Sequence, residues 1–191
     1  MKRSLGLGAL VIVTLLALVL PARAHHTDQV DANDTDGKFD LQEVAFDHEG
    51  APNWRMATFA TWTARSMWDR GSFVVLLDTK GDASIDFITV IRSDGRRMVA
   101  SLFRLRRDGQ EIEVTKLRAD KKGSSAVSVR VPLRELSIGP SRTAYFWSVL
   151  SSFTGGGCAR PCLDAVPDTG TIEQPLPGVT PSPSPSAAPS D

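Results

Sequence analysis

From Gly50 to Phe153 the chain is cut into short apolar or alternating runs by turn residues, and no long stretch carries a helical period. That rhythm points away from a helical core and toward antiparallel β structure. Asn53 to Trp62 carries Trp54, Met56, Thr58 and Ala60 on one parity and Ala57, Phe59 and Thr61 on the other. Phe73 to Leu77 is a continuous apolar run, the pattern of a strand buried on both faces. Asp78 to Asp82 reads as the turn out of it, and the β-branched run Ile85 to Arg92 follows. Ser93-Asp94-Gly95 then closes a hairpin onto Arg96 to Leu105, and Asp108-Gly109 turns into Glu111 to Leu117. In Ser125 to Val131 the valines 127, 129 and 131 share a face opposite Ser128 and Arg130, the clearest half-buried strand in the chain. Leu133 to Ile138 has room for one helical turn before Gly139-Pro140, and Thr143 to Leu150 reads as the last long strand. With one strand counted after Gly37, the expected fold is all-β: an antiparallel β-sandwich, jelly-roll-like, of about eight strands. An enclosed barrel is the alternative.

The two ends of the chain read differently. Met1-Lys2-Arg3, an uncharged apolar run from Leu5 to Leu20, and small residues at Ala22 and Ala24 have the order of a signal peptide spanning 1–24. The run is short for a membrane anchor, so export without stable membrane insertion after cleavage is expected, to the medium or the cell surface. The mature chain would begin at His25 and hold the β domain in 25–174. From Pro175 to Asp191 the chain is rich in Pro, Ser, Thr and Ala and has no aromatics, the composition of a disordered tail or spacer that cannot bury a core. Cleavage removes Lys2, Arg3 and Arg23, leaving 19 basic against 22 acidic residues, a net charge of −3. The charge is polarised: 25–50 holds eight acids and one Lys, whereas 92–134 holds twelve Lys and Arg against five acids. A basic middle suits an anionic partner, self-complementarity within the fold, or an ordinary solvated β surface.

The stretch with the most specific chemistry is Asp31 to Glu43. Asp31, Asn33, Asp34, Asp36 and Asp40 surround Gly37, the composition of a loop that wraps a hard cation such as Ca²⁺. With Gly37 at position 6 of an EF-hand loop, Asp34, Asp36, Asp40 and Glu43 fall on ligand positions 3, 5, 9 and 12, but position 1 is Ala32. The stretch is therefore not an EF-hand. It is either a looser Ca²⁺ site completed by backbone carbonyls or a solvated acidic turn.

Cys158 and Cys162 are the only cysteines, and an even count in an exported chain predicts a disulfide. The ring is small, and its expected task is to shape a knuckle that holds Asp164 and Asp168 nearby. The spacing and context of a redox motif are missing. Trp54, Trp62, Trp68 and Trp147 form either a sugar-stacking platform or, more in keeping with a domain of this size, part of the core.

Several short motifs together resemble a group of small exported proteins of high-GC Gram-positive bacteria (actinobacteria). They are Asp31-x-Asn33-Asp34-Thr35-x-Gly37 with Phe39-Asp40-Leu41, Leu77-Asp78-Thr79 with Asp86-Phe87, Val131-Pro132-Leu133, and Cys158 to Cys162 with Asp164 and Pro167. More broadly, an acidic opening before a strand and a Leu-Asp-Thr strand end are similar to DOMON-like and carbohydrate-binding-module-like jelly rolls. That resemblance implies a structural Ca²⁺ held by Asp31, Asp34 and Asp40; a sugar site does not carry over, because no aromatic platform aligns. The chain has no Gly-x-Ser-x-Gly elbow, no His-Glu-x-x-His and no phosphate loop. The expected function is thus a non-catalytic module that binds an extracellular polysaccharide or anionic wall polymer, or serves as an accessory subunit, with no nucleic-acid partner and an open oligomeric state. The alternative is a secreted hydrolase, or a copper enzyme using the amine and imidazole of His25 with His26 or His48.

Overall fold

The structure, a computed structural model, describes residues 26–48, 51–62 and 70–177. The signal peptide, His25, Trp68 and the chain beyond 177 lie outside the described residues. What is described is antiparallel β structure, with one 3₁₀ turn at Leu133–Leu136 where the sequence left room for it. Eight strands overlap runs read from the sequence: β2 (Leu41–Asp47), β3 (Asn53–Thr58), β4 (Gly71–Asp78), β5 (Phe87–Ser93), β6 (Met98–Leu105), β7 (Glu111–Lys122), β8 (Ala126–Arg130) and β9 (Ala144–Gly155), with β7 and β9 each running five residues past the expected ends at Leu117 and Leu150. Three more appear: β1 (His26–Val30), β10 (Cys158–Val166) and β11 (Ile172–Pro175). The described residues therefore hold eleven strands rather than eight. The additional three are polar or interrupted sequences recruited by pairing with β2 or β9, not by an alternating pattern of their own.

These strands form one continuous curled sheet in the order β1-β2-β3-β8-β7-β6-β5-β4-β9-β10, with β11 paired to β9. The turn of the curl is β7. Its first part pairs β6, its last four residues pair β8, and a bulge leaves Val114 unpaired between Thr115 and Glu113. An extra residue on one strand raises the local twist, which carries the chain from one half of the sheet to the other. The inner faces of the two halves pack against each other. Phe46 of β2 stacks on Trp147 of β9 with centroids 5.9 Å apart, and Trp54 of β3 meets the same indole edge-on at 6.3 Å.

Trp54, Trp62 and Trp147 are fully buried. They are core residues, and the stacking-platform alternative fails for them. The double burial expected for Phe73 to Leu77 also needs correction: Phe73, Val75 and Leu77 face the core, whereas Val74 and Leu76 stand half-buried on the outer face. Apolar composition on both parities marked a sheet face rather than a covered one. The β4–β5 turn is tied by two buried carboxylates. Asp86 accepts from the N–H and hydroxyl of Thr79 and pairs with the Lys80 ammonium, while Asp78 accepts from the Lys80 and Ala83 amides. Among the described residues, no helix is long and apolar enough to cross a membrane.

Candidate metal centre

The acidic segment is the β1–β2 connection, closed where the Asp31 N–H donates to the Gln42 carbonyl at 3.0 Å. Phe39 pins its far end to the core, stacked on Phe73 at 4.7 Å and tilted against Trp62 and Phe153. The Ser151 hydroxyl donates to the Phe39 carbonyl, so the loop is fixed to β9 by backbone as well as by the ring. Gly37 carries φ +111°, and a Cβ there would stand 2.8 Å from the Cys158 sulfur. No other residue fits that position without strain.

Curling the sheet brings β10 against β2, and with it a carboxylate distant in sequence. Asp164 Oδ2 accepts from the Leu41 N–H at 2.6 Å, and its Oδ1 accepts from the Ala165 N–H at 2.7 Å. Around it lie two trios of carboxylates, Asp34 with Asp40 and Asp164, and Asp31 with Asp164 and Asp168. In each trio the ligand oxygens lie within 4.8 Å of one another. Two oxygens each about 2.4 Å from one Ca²⁺ stand no more than about 4.8 Å apart, so either trio has the span to share an ion. Asp40 is 3% exposed, and its Oδ1 has no hydrogen-bond partner; Asp31 Oδ2 is likewise buried and unpartnered. Among the described residues no Lys or Arg pairs with any of the five carboxylates. A buried carboxylate oxygen without a partner bears a desolvation cost that a cation or a proton removes, even where the other oxygen is bonded, as Asp31 Oδ1 is by the Ala32 N–H.

The electrostatics follow from this crowding. Burial pushes the Asp31 carboxyl up to about 6, with the charges of Asp164, Asp168 and Asp34 adding to it. Burial also raises Asp40 and Asp164, each reinforced by neighbouring carboxylates. An acid whose folded pKa lies above its unfolded value binds more protons folded than unfolded, so folding is favoured as pH falls through that window. The metal-free protein should accordingly melt higher at pH 5 than at pH 7 in EDTA. Circular dichroism melts check this, and a melting temperature flat or lower at pH 5 contradicts the crowding.

Of the residues singled out from sequence, Asp34 and Asp40 share one trio with Asp164, and Asp31 belongs to the other. Asp36 stands outside both trios, Asn33 is exposed, and Glu43 lies on β2 with an oxygen 3.9 Å from Arg55. Asp164 and Asp168 were legible only as residues near the knuckle, not as members of this group. One signal was available: Asp164 shares the core-facing parity of Val166, an unusual place for a carboxylate on a strand.

Cys158 and Cys162 are bonded, with Cα atoms 5.6 Å apart, and their ring packs on Gly37 and on the Asp36 carbonyl, 3.4 Å from the Cys158 sulfur. The knuckle thus supports the acidic loop from below. Chain entropy for so small a ring amounts to about 2 kcal/mol. Cys158→Ser with Cys162→Ser should lower unfolding free energy by about that amount in urea melts. A loss well beyond 4 kcal/mol would show a larger role than ring closure and loop support.

His26 is exposed and lies 3.1 Å from Asp28, while His48 is buried beside Phe46. In comparisons with protein-family models, with curated proteins and with solved structures, nothing matches this chain.

Proposed function

We propose that this is an exported, non-catalytic β module, clamped by one Ca²⁺ ion, that binds an extracellular polymer. The two halves of the curled sheet serve as the layers of a jelly-roll-like sandwich, a reading supported by the Phe46–Trp147 stack between them. The observation that carries the proposal is the buried, unpartnered Oδ1 of Asp40 beside Asp34 and Asp164. Hard oxygen ligands suit Ca²⁺, and backbone carbonyls and water complete its shell of 6–8 oxygens, whereas Mg²⁺ demands a tighter octahedron. The ion ties the β1–β2 loop to β10, two segments more than a hundred residues apart that form the meeting edges of the curl.

Polymer binding is supported by the polarised charge, which places most of the basic residues on the half of the sheet around β5 to β7. For the ion, calorimetric titration of the EDTA-stripped protein should show one Ca²⁺ site with a dissociation constant of about 10⁻⁴ to 10⁻³ M, the range of extracellular modules. Asp40→Asn with Asp164→Asn should abolish it; the amide at 164 keeps an acceptor for the Leu41 N–H but not for the Ala165 N–H. No Ca²⁺ heat in the wild type overturns the clamp.

A further inference from the structure

The outer face of the β9-β4-β5-β6-β7 half carries a row of residues set by register: Ser152 opposite Ser72, Ser72 opposite Arg92, Arg92 opposite Val99, and Val99 opposite Arg118. Directly opposed residues share a face, so these side chains stand side by side across five strands. Three shallow depressions follow the row, and all three share Val99. Together they are lined by seven Lys and Arg against three Asp and Glu. Arg97 is paired with Asp94 at 3.6 Å and Arg118 with Asp120 at 2.7 Å, whereas Arg92 and Lys116 make no ion pair among the described residues. The next row holds Leu150, Val74, Val90, Ser101 and Lys116.

We propose that this row is the binding trough for an extended acidic polysaccharide in which charged and uncharged sugars alternate. Neighbouring strands lie about 4.8 Å apart, so the row is about 19 Å long and the guanidinium columns of Arg92 and Arg118 stand about 10 Å apart. Within the row itself Val99 separates Arg92 from Arg118 and Ser72 and Ser152 extend it, while Asp94, Lys116 and Asp120 stand along its sides. Planar guanidinium forks bind carboxylates in pairs of hydrogen bonds, and Ser72 and Ser152 suit sugar hydroxyls, while the Ser101 hydroxyl donates to Glu113. A nucleic acid fits poorly, because single-strand binding relies on aromatic stacking and the depressions hold one aromatic ring, Phe103. The proposal rests on the polymer-binding part of the reading above and is independent of the cation.

The test is calorimetric titration with a hyaluronan octasaccharide, in excess Ca²⁺ and again in EDTA, with neutral dextran and inorganic polyphosphate as comparisons. The wild type should bind the octasaccharide, ignore dextran, and lose affinity as salt rises. Arg92→Ala with Arg118→Ala should weaken binding at least tenfold in both buffers without moving the melting temperature. Binding retained by the double variant overturns the site while leaving polymer binding elsewhere intact; a wild type that binds no octasaccharide overturns both. Polyphosphate bound as tightly as the sugar shows plain ion exchange and overturns the alternating-sugar reading. Concentration-dependent dimerisation in sedimentation velocity, abolished by Val90→Lys, would assign the face to a second copy instead.

Discussion

Phe39→Ala is expected to lower unfolding free energy by about 3 to 5 kcal/mol, the range for removing a large aromatic from a packed core. The ring is 1% exposed and touches Trp62, Phe73 and Phe153, so its loss opens a cavity walled by three other aromatics. Relaxation cannot fill that space cheaply, because Phe73 and Phe153 belong to the paired strands β4 and β9. For a domain of this size, the melting temperature should fall by about 6 to 20 °C. The same substitution should weaken the cation site, since Asp40 follows Phe39 directly and inherits its position from that anchor. Phe39→Leu keeps part of the volume and should recover much of both losses. A cost below 1 kcal/mol in denaturant melts would mean that the ring does not hold the loop.

The second large effect is that of calcium. Binding only to the folded state raises unfolding free energy by about 2.7 kcal/mol when the free ion reaches a hundred times its dissociation constant, or about 5 to 11 °C in melting temperature. Part of that binding free energy would come from relief of the repulsion among the crowded carboxylates, which the dissociation constant already contains. In EDTA, neutralising Asp40 alone as Asp40→Asn should raise stability by relieving that repulsion, since its Oδ1 holds no hydrogen bond to lose. In Ca²⁺ the same change should lower it. A substitution whose sign reverses with the ion separates a metal clamp from a merely crowded turn.

Most of the fold was legible because turn residues punctuate it so regularly: Ser93-Asp94-Gly95 and Asp108-Gly109 close hairpins as their chemistry dictates, with Gly95 and Gly109 both at positive φ. The edges were not. His26 to Val30 and Cys158 to Val166 have little alternation, and their strand state is imposed by pairing with β2 and β9. Pro175 looked like the start of a tail, yet it pairs with Ala144, and Leu176 packs against the core. The continuous apolar run of β4 was ambiguous for a physical reason. One face needs the core, and apolar residues on the other say only that the face is not strongly solvated. Three of the five carboxylates of the candidate site were readable because Asp31, Asp34 and Asp40 are close in sequence. The other two of the five, Asp164 and Asp168, are brought in by the curl of the sheet, which no local pattern announces.

The central claim is that the carboxylates at the meeting edges of the curl hold an ion. Melting curves of the wild type in excess EDTA and in millimolar Ca²⁺, beside Asp40→Asn with Asp164→Asn in the same two buffers, test it most directly. The account predicts a Ca²⁺-dependent rise of several degrees in the wild type, a much smaller rise with Mg²⁺, and none in the double variant. Superimposable wild-type melts in EDTA and Ca²⁺ would contradict it and leave protonation of the crowded carboxyls, whose pKa values burial raises, as what balances the buried charge.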